Sequence, residues 1–462
     1  MKYFLLAFFI FLGFCALFGV EDSILQDFEA NKSPIDVKSA WERVLQNNDA
    51  LKAQEQGVKR AEKLAFGARL SYLPEINFQG IYVHLNEVLQ YTPNFSSAQF
   101  NMPQLDSLLR NLAKPITLLE RNVMIGAFNI VYPLYTGGLR RSTIALADIA
   151  KKDANEAMRI KKLATFEEFV SIYYADVLAR DILAVCVQNF ETSKLHYQNA
   201  LALEKSGQIA HLEVLASQVA SDKFKNNLRS ANNALQSANL ALQSALDSLD
   251  FIPSSKIEIS TQALHDESYY VQKALASYPA LRILEHKIQS VGVSKNIASA
   301  AFTPQIVGIG SYLVTDKQDS LIIANMPSWY VGVGVNFSFI TPRARIQQYQ
   351  VAKITELELI SLREQAIKDL TLLVRRTYKE AVSAREEYNT LSSSVLLAQE
   401  NLKLQTRAFK QGMATSARVI DAQNALESVL IQQKSVGFKA IIALSKLLAL
   451  SDEIDLFYKF QN

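Results

Sequence analysis

The chain contains one long internal repeat, in which residues 138–252 correspond to residues 345–450. The two copies match at Gly207/Gly412, Val214/Val419, Leu215/Ile420 and Gln218/Gln423, each pair 205 residues apart. A repeat of this length represents two copies of one supersecondary unit. The fold must therefore be assembled twice from the same kinds of element.

Each copy of the repeat lacks helix-breaking residues over a very long stretch. No proline occurs between Pro133 and Pro253, and none follows Pro342. Residues ~138–205 predict a helix of roughly 100 Å at 1.5 Å per residue, and residues ~345–410 predict its counterpart. Helices of that length are typical of coiled coils, and a glycine suits the left-handed turn that ends a helix. Each copy therefore predicts a long antiparallel helical hairpin, with its tip near Gly207 or Gly412.

Strand-like segments precede each hairpin. The clearest is 328–341, where apolar side chains alternate with glycine, asparagine and serine. Strict alternation over about eleven residues, with aromatic residues at the ends, is typical of a membrane β-strand. A pair of soluble β-hairpins is the alternative. The predicted strands are about 72–84, 121–135, 304–315 and 328–341, and the predicted lipid-facing residues are Trp329, Val331, Val333, Val335 and Phe337.

The remaining sequence features indicate where in the cell the protein is located. Lys2 followed by an apolar run to Phe18 predicts a signal peptide over residues 1–19. Repeat 1 then covers 20–250, and repeat 2, with a C-terminal segment, covers 251–462. No later stretch approaches ~18 consecutive apolar residues, so we expect the exported chain to enter a membrane as β-structure. The net charge of +3, without a Lys/Arg block, gives no indication of nucleic-acid binding.

The predicted strands cannot close a barrel within one chain. Because an open sheet edge is not tolerated in lipid, the chain must oligomerise to insert. Three copies would supply twelve strands, an even number wide enough to leave a lumen. Their helical hairpins would enclose a hollow cylinder next to the barrel. The expected fold is an α+β membrane protein that forms a duct.

The sequence resembles the TolC-like outer-membrane efflux proteins over essentially its whole mature length. The resemblance rests on the duplicated strand–strand–helix–helix unit, on the strand-to-helix junction at 131–138, and on the two glycine tips. It implies a homotrimer in the outer membrane of a Gram-negative bacterium, with a twelve-stranded barrel continued by a periplasmic α-helical barrel. It also implies that cargo arrives from an inner-membrane transporter through a periplasmic adaptor. A periplasmic coiled-coil adaptor or scaffold is the alternative function.

Charged residues near the tips are candidates for a tunnel entrance. In the resembled family, carboxylates follow the tip glycine by about six and nine residues, which here selects Glu213 and Asp421. Arg418 stands where an acid is common, and it could pair with either carboxylate to hold the entrance shut. Phe409 could add an aromatic constriction, although a packing role is equally compatible with its position. The competing interpretation is that Glu213, Asp421 and Arg418 are solvated charges on the helix surface, without a role at an entrance.

Small residues at the tips would let an adaptor's helices approach closely. No catalytic, cofactor or metal site is expected, because the histidines are scattered and no cysteine cluster exists. A secreted enzyme is therefore the least favoured functional hypothesis. The predicted docking residues are Gly207, Ala210, Gly412, Ala414, Ser416 and Ala417.

Overall fold

The computed structural model describes residues 33–93, 103–260, 262–315, 321–339 and 345–460. The predicted signal peptide and the last two residues of the predicted strand 328–341 lie outside this part of the chain. The described residues form two compact units, one drawn from 33–59, 153–285 and 362–460, the other from 60–152 and 286–361. Each unit takes residues from both copies of the repeat.

The described elements follow the order that the repeat predicts. The strands are β1 (Ser33–Ile35), β2 (Glu75–His84), β3 (Leu89–Tyr91), β4 (Ile116–Leu119), β5 (Asn122–Tyr135), β6 (Phe251–Pro253), β7 (Gln305–Thr315) and β8 (Trp329–Asn336). The helices are α1 (Val37–Asn47), α2 (Asp49–Arg69), α3 (Pro103–Leu112), α4 (Leu139–Lys205), α5 (His211–Leu246), α6 (Glu267–Ser277), α7 (Pro279–Ala300), α8 (Leu321–Ala324), α9 (Arg345–Lys410) and α10 (Ser416–Leu450). Short 3₁₀ turns cover Leu70–Tyr72 and Ile454–Phe460.

The fold class predicted from the sequence is confirmed. Helices α4 and α9 contain 67 and 66 residues, and each is followed by a second long helix, α5 or α10. Each of these pairs is preceded by two antiparallel strands, β2 with β5 and β7 with β8. None of the helices in the described ranges combines the length and the apolar content needed to cross a membrane.

One four-stranded sheet, in the order β2-β5-β7-β8, joins the strand pairs of both repeats. All three of its ladders are antiparallel, and a register shift interrupts the β5–β7 ladder after Pro133. β5 and β7 have neighbours on both sides, whereas β2 and β8 are the outer strands of the sheet. Two shorter sheets pair β1 with β6 and β3 with β4.

The register of this sheet collects aromatic and aliphatic side chains on one face. Phe78, Phe128, Tyr312 and Trp329 lie opposite one another across the four strands. Residues directly opposite each other on neighbouring strands share a face of the sheet, and so do alternate residues within one strand. The register therefore determines which residues belong to this face. We call it the apolar face; it carries Ile76, Phe78, Tyr82, Met124, Phe128, Ile130, Tyr132, Ile306, Tyr312, Val314, Trp329, Val331, Val333 and Val335.

The opposite face carries a polar row at the same level of the sheet. Asn129 donates through Nδ2 to Oδ1 of Asn77 at 3.2 Å, and the Ser311 hydroxyl donates to Oδ1 of Asn129 at 2.9 Å. These three residues lie opposite one another in the register. At this level of the sheet the two faces differ in polarity, although elsewhere the opposite face also carries aliphatic side chains such as Ile81 and Ile309.

The predicted lipid-facing residues need one correction. Val331, Val333 and Val335 lie in β8 with exposed fractions of 75%, 68% and 67%. Phe337, by contrast, lies beyond the end of β8 at Asn336, because the ladder with β7 stops at the Gln305–Asn336 pair. Phe337 instead packs its ring against Phe339, with centroids 5.0 Å apart.

The first unit is held together by an aromatic core. Trp41 of α1 packs edge-on against Phe166 of α4, with ring centroids 5.2 Å apart, and Phe166 packs in the same way against Phe457 at 5.5 Å. The buried hydroxyl of Tyr173 donates to the backbone carbonyl of Ile35 at 2.7 Å. This core fixes the helices whose far ends form the tips described below.

The asymmetry of the sheet faces predicts unequal tolerance of charge in β8. Val333→Arg places a cation on the apolar face and should cost roughly 2–4 kcal/mol if that face meets lipid at mid-depth. Gly332→Arg is the matched control, because its side chain would point to the opposite face, one residue away. Membrane integration and trimer yield measure the difference, and equal yields for both variants would contradict the assignment of the apolar face to lipid.

Candidate functional site

Both long helices end in the same glycine turn. Gly207 and Gly412 adopt φ values of +72° and +70°, which only glycine adopts without strain. The amide of Gln208 donates to the carbonyl of Leu203 at 2.9 Å, and that of Met413 donates to Ala408 at 2.9 Å. The amides of Gly207 and Gly412 donate in addition to the carbonyls three residues before them, at 2.8 and 2.9 Å. Together these bonds form the Schellman arrangement, which satisfies the last carbonyls of a helix.

Helix α10 is capped by a residue of the other repeat. Its N-terminal neighbour Thr415 makes no side-chain hydrogen bond to the helix. Instead, the amide of Ser416 donates to Oε2 of Glu213, the acid in the first turn of α5, at 2.6 Å. A carboxylate at a helix N-terminus satisfies a free amide and interacts favourably with the helix dipole, a stabilisation of about 1 kcal/mol. The two tips are therefore joined by a charge-assisted hydrogen bond.

A buried histidine binds the same serine from a third helix. Nε2 of His196 lies 3.1 Å from the Ser416 hydroxyl, and the His196 ring lies 4.6 Å from that of Phe409. Apolar side chains from all four tip helices, including Ala200, Val214 and Val419, surround Phe409. We call His196, Glu213, Phe409 and Ser416 the tip cluster.

Burial shifts the acid–base behaviour of the tip cluster. His196 is 4% exposed, and desolvation lowers its pKa from 6.5 to about 4, although the negative charge of Glu213 acts in the opposite direction. Its Nδ1 atom has no hydrogen-bond partner among the described residues. His196 is therefore neutral at physiological pH, and protonation would place a desolvated charge between the tip helices that Glu213 offsets only in part.

For Phe409 the sequence left a constriction and a packing role open, and for Ser416 it predicted docking; both side chains are buried. Phe409 is 1% exposed, so within the chain it packs the tip cluster and has no surface with which to line a constriction. Ser416 is fully buried beneath His196 and Glu213, so it is not available for docking. Both side chains are buried because the four helices converge at the tips and enclose the side chains that point inward.

The other predicted tip residues lie at the surface. Arg418 and Asp421 are exposed on α10, and no ion pair within the described chain joins Arg418 to Glu213 or Asp421. Glu213 is half-buried, as its hydrogen bond to Ser416 requires. Among the predicted docking residues, Ala414 is half-buried, and those that are exposed are Gly207, Ala210, Gly412 and Ala417.

A second polar contact lies further along the hairpins. Glu427 is 7% exposed, accepts a hydrogen bond from Nδ2 of Asn227 at 3.2 Å and lies 3.9 Å from the sulfur of Cys186. Burial, followed by the nearby Glu427 carboxylate, raises the pKa of Cys186 to about 11. The thiol is therefore protonated and unreactive. Across the described ranges, no group of three or more metal-ligating side chains comes together.

Comparisons with known proteins match the whole architecture. The family model described as "Outer membrane efflux protein" matches residues 40–248 and 270–451. This chain belongs to the outer membrane efflux protein family. Comparison with curated protein sequences gives no significant match.

Solved structures share the fold at low sequence identity. CusC, described as forming a transmembrane channel, is 15% identical with a TM-score of 0.73, over 91% of this chain and 93% of its own. The CmeC outer membrane channel of Campylobacter jejuni is 13% identical, with a TM-score of 0.71 over 90% and 86% of the two chains. The MtrE outer membrane channel of Neisseria gonorrhoeae, in its open state, is 15% identical, with a TM-score of 0.70 over 92% and 94%.

Family membership determines the class and location of the protein. It is an outer-membrane efflux channel of a Gram-negative bacterium, with helices that extend into the periplasm. Proteins of this family are channels rather than enzymes, and they are trimers that work with adaptors and inner-membrane pumps. The alternative of an adaptor or scaffold is not retained.

The sequence alone did not reveal His196 or Ser416 as partners. His196 precedes the tip glycine of its own repeat by eleven residues, and Ser416 follows that of the other repeat by four. Nothing local marks them as a pair, since they are 220 residues apart. The local signal at Ser416 is limited to its place beside Thr415, a residue type that favours helix N-termini, and this marks the start of a helix without identifying a partner.

The buried histidine predicts that the tip opens in acid. The folded state lowers the pKa of His196, so its contribution to stability is present above about 6.5 and is lost as pH falls through about 4. The loss is at most about 3 kcal/mol. Hydrogen exchange at the tip, corrected for intrinsic rates, should show protection falling over this range in the native chain.

The matched variants are His196→Gln and His211→Gln. Glutamine can still bind Ser416 but cannot be protonated, so the acid-dependent loss of protection should disappear. His211 is exposed, and its contact with Glu204 at 2.7 Å lies at the surface, so its replacement should not remove the acid-dependent loss of protection. An unchanged profile in His196→Gln would refute the assignment.

Proposed function

We propose that the protein is the passive exit duct of a tripartite export system, conducting cargo from an inner-membrane transporter through a periplasmic adaptor. The observation that carries this proposal is the combination of one sheet with an apolar face and two long helical hairpins in each chain. Membership of the outer membrane efflux protein family supports the same function. No energy-coupling chemistry is required, because the pump supplies the work.

The proposed assembly follows from hydrogen bonding at the sheet edges. β2 and β8 are outer strands of the four-stranded sheet, and each therefore has one edge that the sheet does not pair. Lipid cannot hydrogen-bond such an edge, so β8 of one copy is proposed to pair with β2 of the next. Three copies then close a barrel of about twelve strands, within the range observed for outer-membrane proteins.

The exposed small residues at the tips support adaptor docking. Gly207, Ala210, Gly412 and Ala417 leave the backbone accessible, so that another protein's helices can approach closely. We propose that this surface, without the buried Ser416, receives the adaptor.

The docking proposal predicts a loss of export without a loss of assembly. Ala417→Trp should abolish export, because the indole blocks close approach at an exposed site, while trimer yield stays normal. Lys194→Trp, at an exposed position on α4 before the tip, is the control and should export normally. Adaptor cross-linking to a cysteine at position 417 and cargo efflux are the measurements; full export by Ala417→Trp would refute this docking surface.

We also propose that the exposed carboxylate of Asp421 contributes to a cation-binding tunnel entrance. Three-fold symmetry would bring three copies of it toward the axis, with Arg418 one helical turn away on the same face. Glu213 is a weaker candidate than its position in the sequence suggested, because its carboxylate already binds the Ser416 amide. Phe409 is not part of this proposal, because it is buried.

Planar-bilayer recordings of channel current would distinguish the role of Asp421 from that of Glu213. Asp421→Asn should weaken block by multivalent cations, since a ring of carboxylates binds them. Glu213→Gln should instead loosen the tips and alter block much less. Arg418→Ala should raise conductance if Arg418 pairs with an acid of a neighbouring copy. Unchanged block in Asp421→Asn would mean that Asp421 is a solvated surface charge.

A further inference from the structure

One arginine lies where the apolar face of the sheet gives way to the long helices. Arg140 is the second residue of α4, five residues after the end of β5. Its guanidinium carbon lies 5.1 Å from the ring centroid of Tyr132 and 5.3 Å from that of Tyr72. Tyr132 belongs to the apolar face, because it lies opposite Gly308 and Val333 in the register. The cation is therefore attached to the face that we assign to lipid, at its periplasmic end.

The guanidinium of Arg140 has no anionic partner within the described chain. It makes no hydrogen bond there, and its Nη2 atom is buried without a partner. Cation–π contacts orient the group but leave its N–H donors unused. An arginine that is stacked and half-buried in this way is preorganised for an anion that approaches from outside the protein.

The helix itself does not favour positive charge at this position. The first turn of α4 contains Arg140 and Arg141 and no acidic residue. The N-terminus of a helix carries partial positive charge, so a cation there is destabilising. An external anion beside the guanidinium of Arg140 would offset this repulsion.

The corresponding arginine of the second repeat is satisfied differently. Arg345 stands 205 residues after Arg140, and its guanidinium lies 5.4 Å from the ring centroid of Phe302. It also donates to the backbone carbonyl of Ala301 at 2.7 Å and to that of Ser338. The equivalent arginines of the two repeats therefore differ in their partners. Arg345 binds backbone carbonyls of its own chain, whereas the guanidinium of Arg140 can bind a ligand.

The surface around Arg140 fits a lipid rather than a free ion. Leu73, next to Tyr72, is 62% exposed, and Leu134, two residues after Tyr132, is 54% exposed. The Leu134 side chain lies on the apolar face, because a Cβ built on Gly308 would be 3.7 Å from its Cδ1 atom. An anion held here therefore adjoins apolar surface that can cover an acyl chain. Aromatic residues at this level are typical of a membrane interface.

We propose that Arg140, stacked between Tyr72 and Tyr132, binds the phosphate of an anionic phospholipid in the periplasmic leaflet of the outer membrane. The N–H groups of Arg140 other than the buried Nη2 can donate to phosphate oxygens, and the two tyrosine rings fix the position of the guanidinium. The inference rests on the proposed insertion of the sheet into the membrane. Its consequence is a lipid bound at a fixed depth, once per protomer.

The experiment uses the purified full-length trimer in detergent and three probes. Dioleoylphosphatidylglycerol supplies phosphate and tails, dioleoylglycerol supplies the same tails without phosphate, and inorganic phosphate supplies the anion alone. Native mass spectrometry counts bound lipid. The native trimer should retain up to three molecules of the phospholipid, retain little dioleoylglycerol, and keep the phospholipid when inorganic phosphate is added at millimolar concentration.

Three variants test the residue. Arg140→Gln should weaken phospholipid binding by about tenfold or more, and Arg140→Lys should weaken it less, because the positive charge remains while the planar group that stacks on the tyrosines is lost. Arg376→Gln is the control, since Arg376 is 77% exposed and paired with Glu380 on α9. It should bind the lipid normally. If Arg140→Gln does not assemble, the Arg140→Lys comparison still tests the proposal.

Several results would overturn the inference. They are equal binding by Arg140→Gln and the native trimer, equal loss in Arg376→Gln, binding of dioleoylglycerol as tight as that of the phospholipid, or displacement by inorganic phosphate. A purely structural role for Arg140 would lower the melting temperature without changing the lipid count. If the native chain forms no trimer, the proposed function fails; a stable trimer without bound lipid refutes only the Arg140 site.

Discussion

Backbone hydrogen bonding in lipid is the constraint on which the rest of this structure depends. Hydrocarbon offers no donors or acceptors, so every amide and carbonyl that enters it must find a partner in protein. Within one chain, β5 and β7 meet this condition on both sides, whereas β2 and β8 meet it on one side. A sheet of this kind cannot be a finished membrane structure, and the requirement for partner copies follows from its topology.

Duplication with divergence explains the chemistry of the tips. Glu213 and Arg418 occupy equivalent positions in the two repeats, 205 residues apart. The acid caps α10 from the other hairpin, whereas a cation at the equivalent place would oppose the helix dipole, and Arg418 instead points to the surface. Gln423 is likewise buried and donates to the carbonyl of Asn189 at 2.6 Å, while its counterpart Gln218 is exposed. The repeats are equivalent in backbone and different in side-chain role.

Periodic patterns made most of the fold predictable from the sequence. Alternation in 328–341 and the proline-free stretches identified strands and long helices, because those signals are local and extend over many residues. The three-residue strands β1, β3 and β6 were not identified, since such short segments depend on partners far along the chain.

Side-chain environments at the tips were less predictable. The position of Ser416 near a glycine turn indicated a docking role, and that of Phe409 left a constriction and a packing role open; both residues are buried. Their burial depends on how four helices converge, and that information resides in contacts between residues more than 200 positions apart. Local sequence could indicate the tip but could not indicate which of its side chains point inward.

The unpaired edge of β8 has a consequence for the life of the chain before insertion. Its valines alternate with glycines, it contains no proline or charge, and it is highly exposed in the single subunit. Short, uncharged segments of high β-propensity on an exposed edge are aggregation hazards. A newly exported subunit therefore crosses the aqueous periplasm with an exposed strand edge that can pair with other copies. Irreversible aggregation then competes with assembly of the channel. Shielding by a holdase chaperone during that transit would favour the channel over the aggregate.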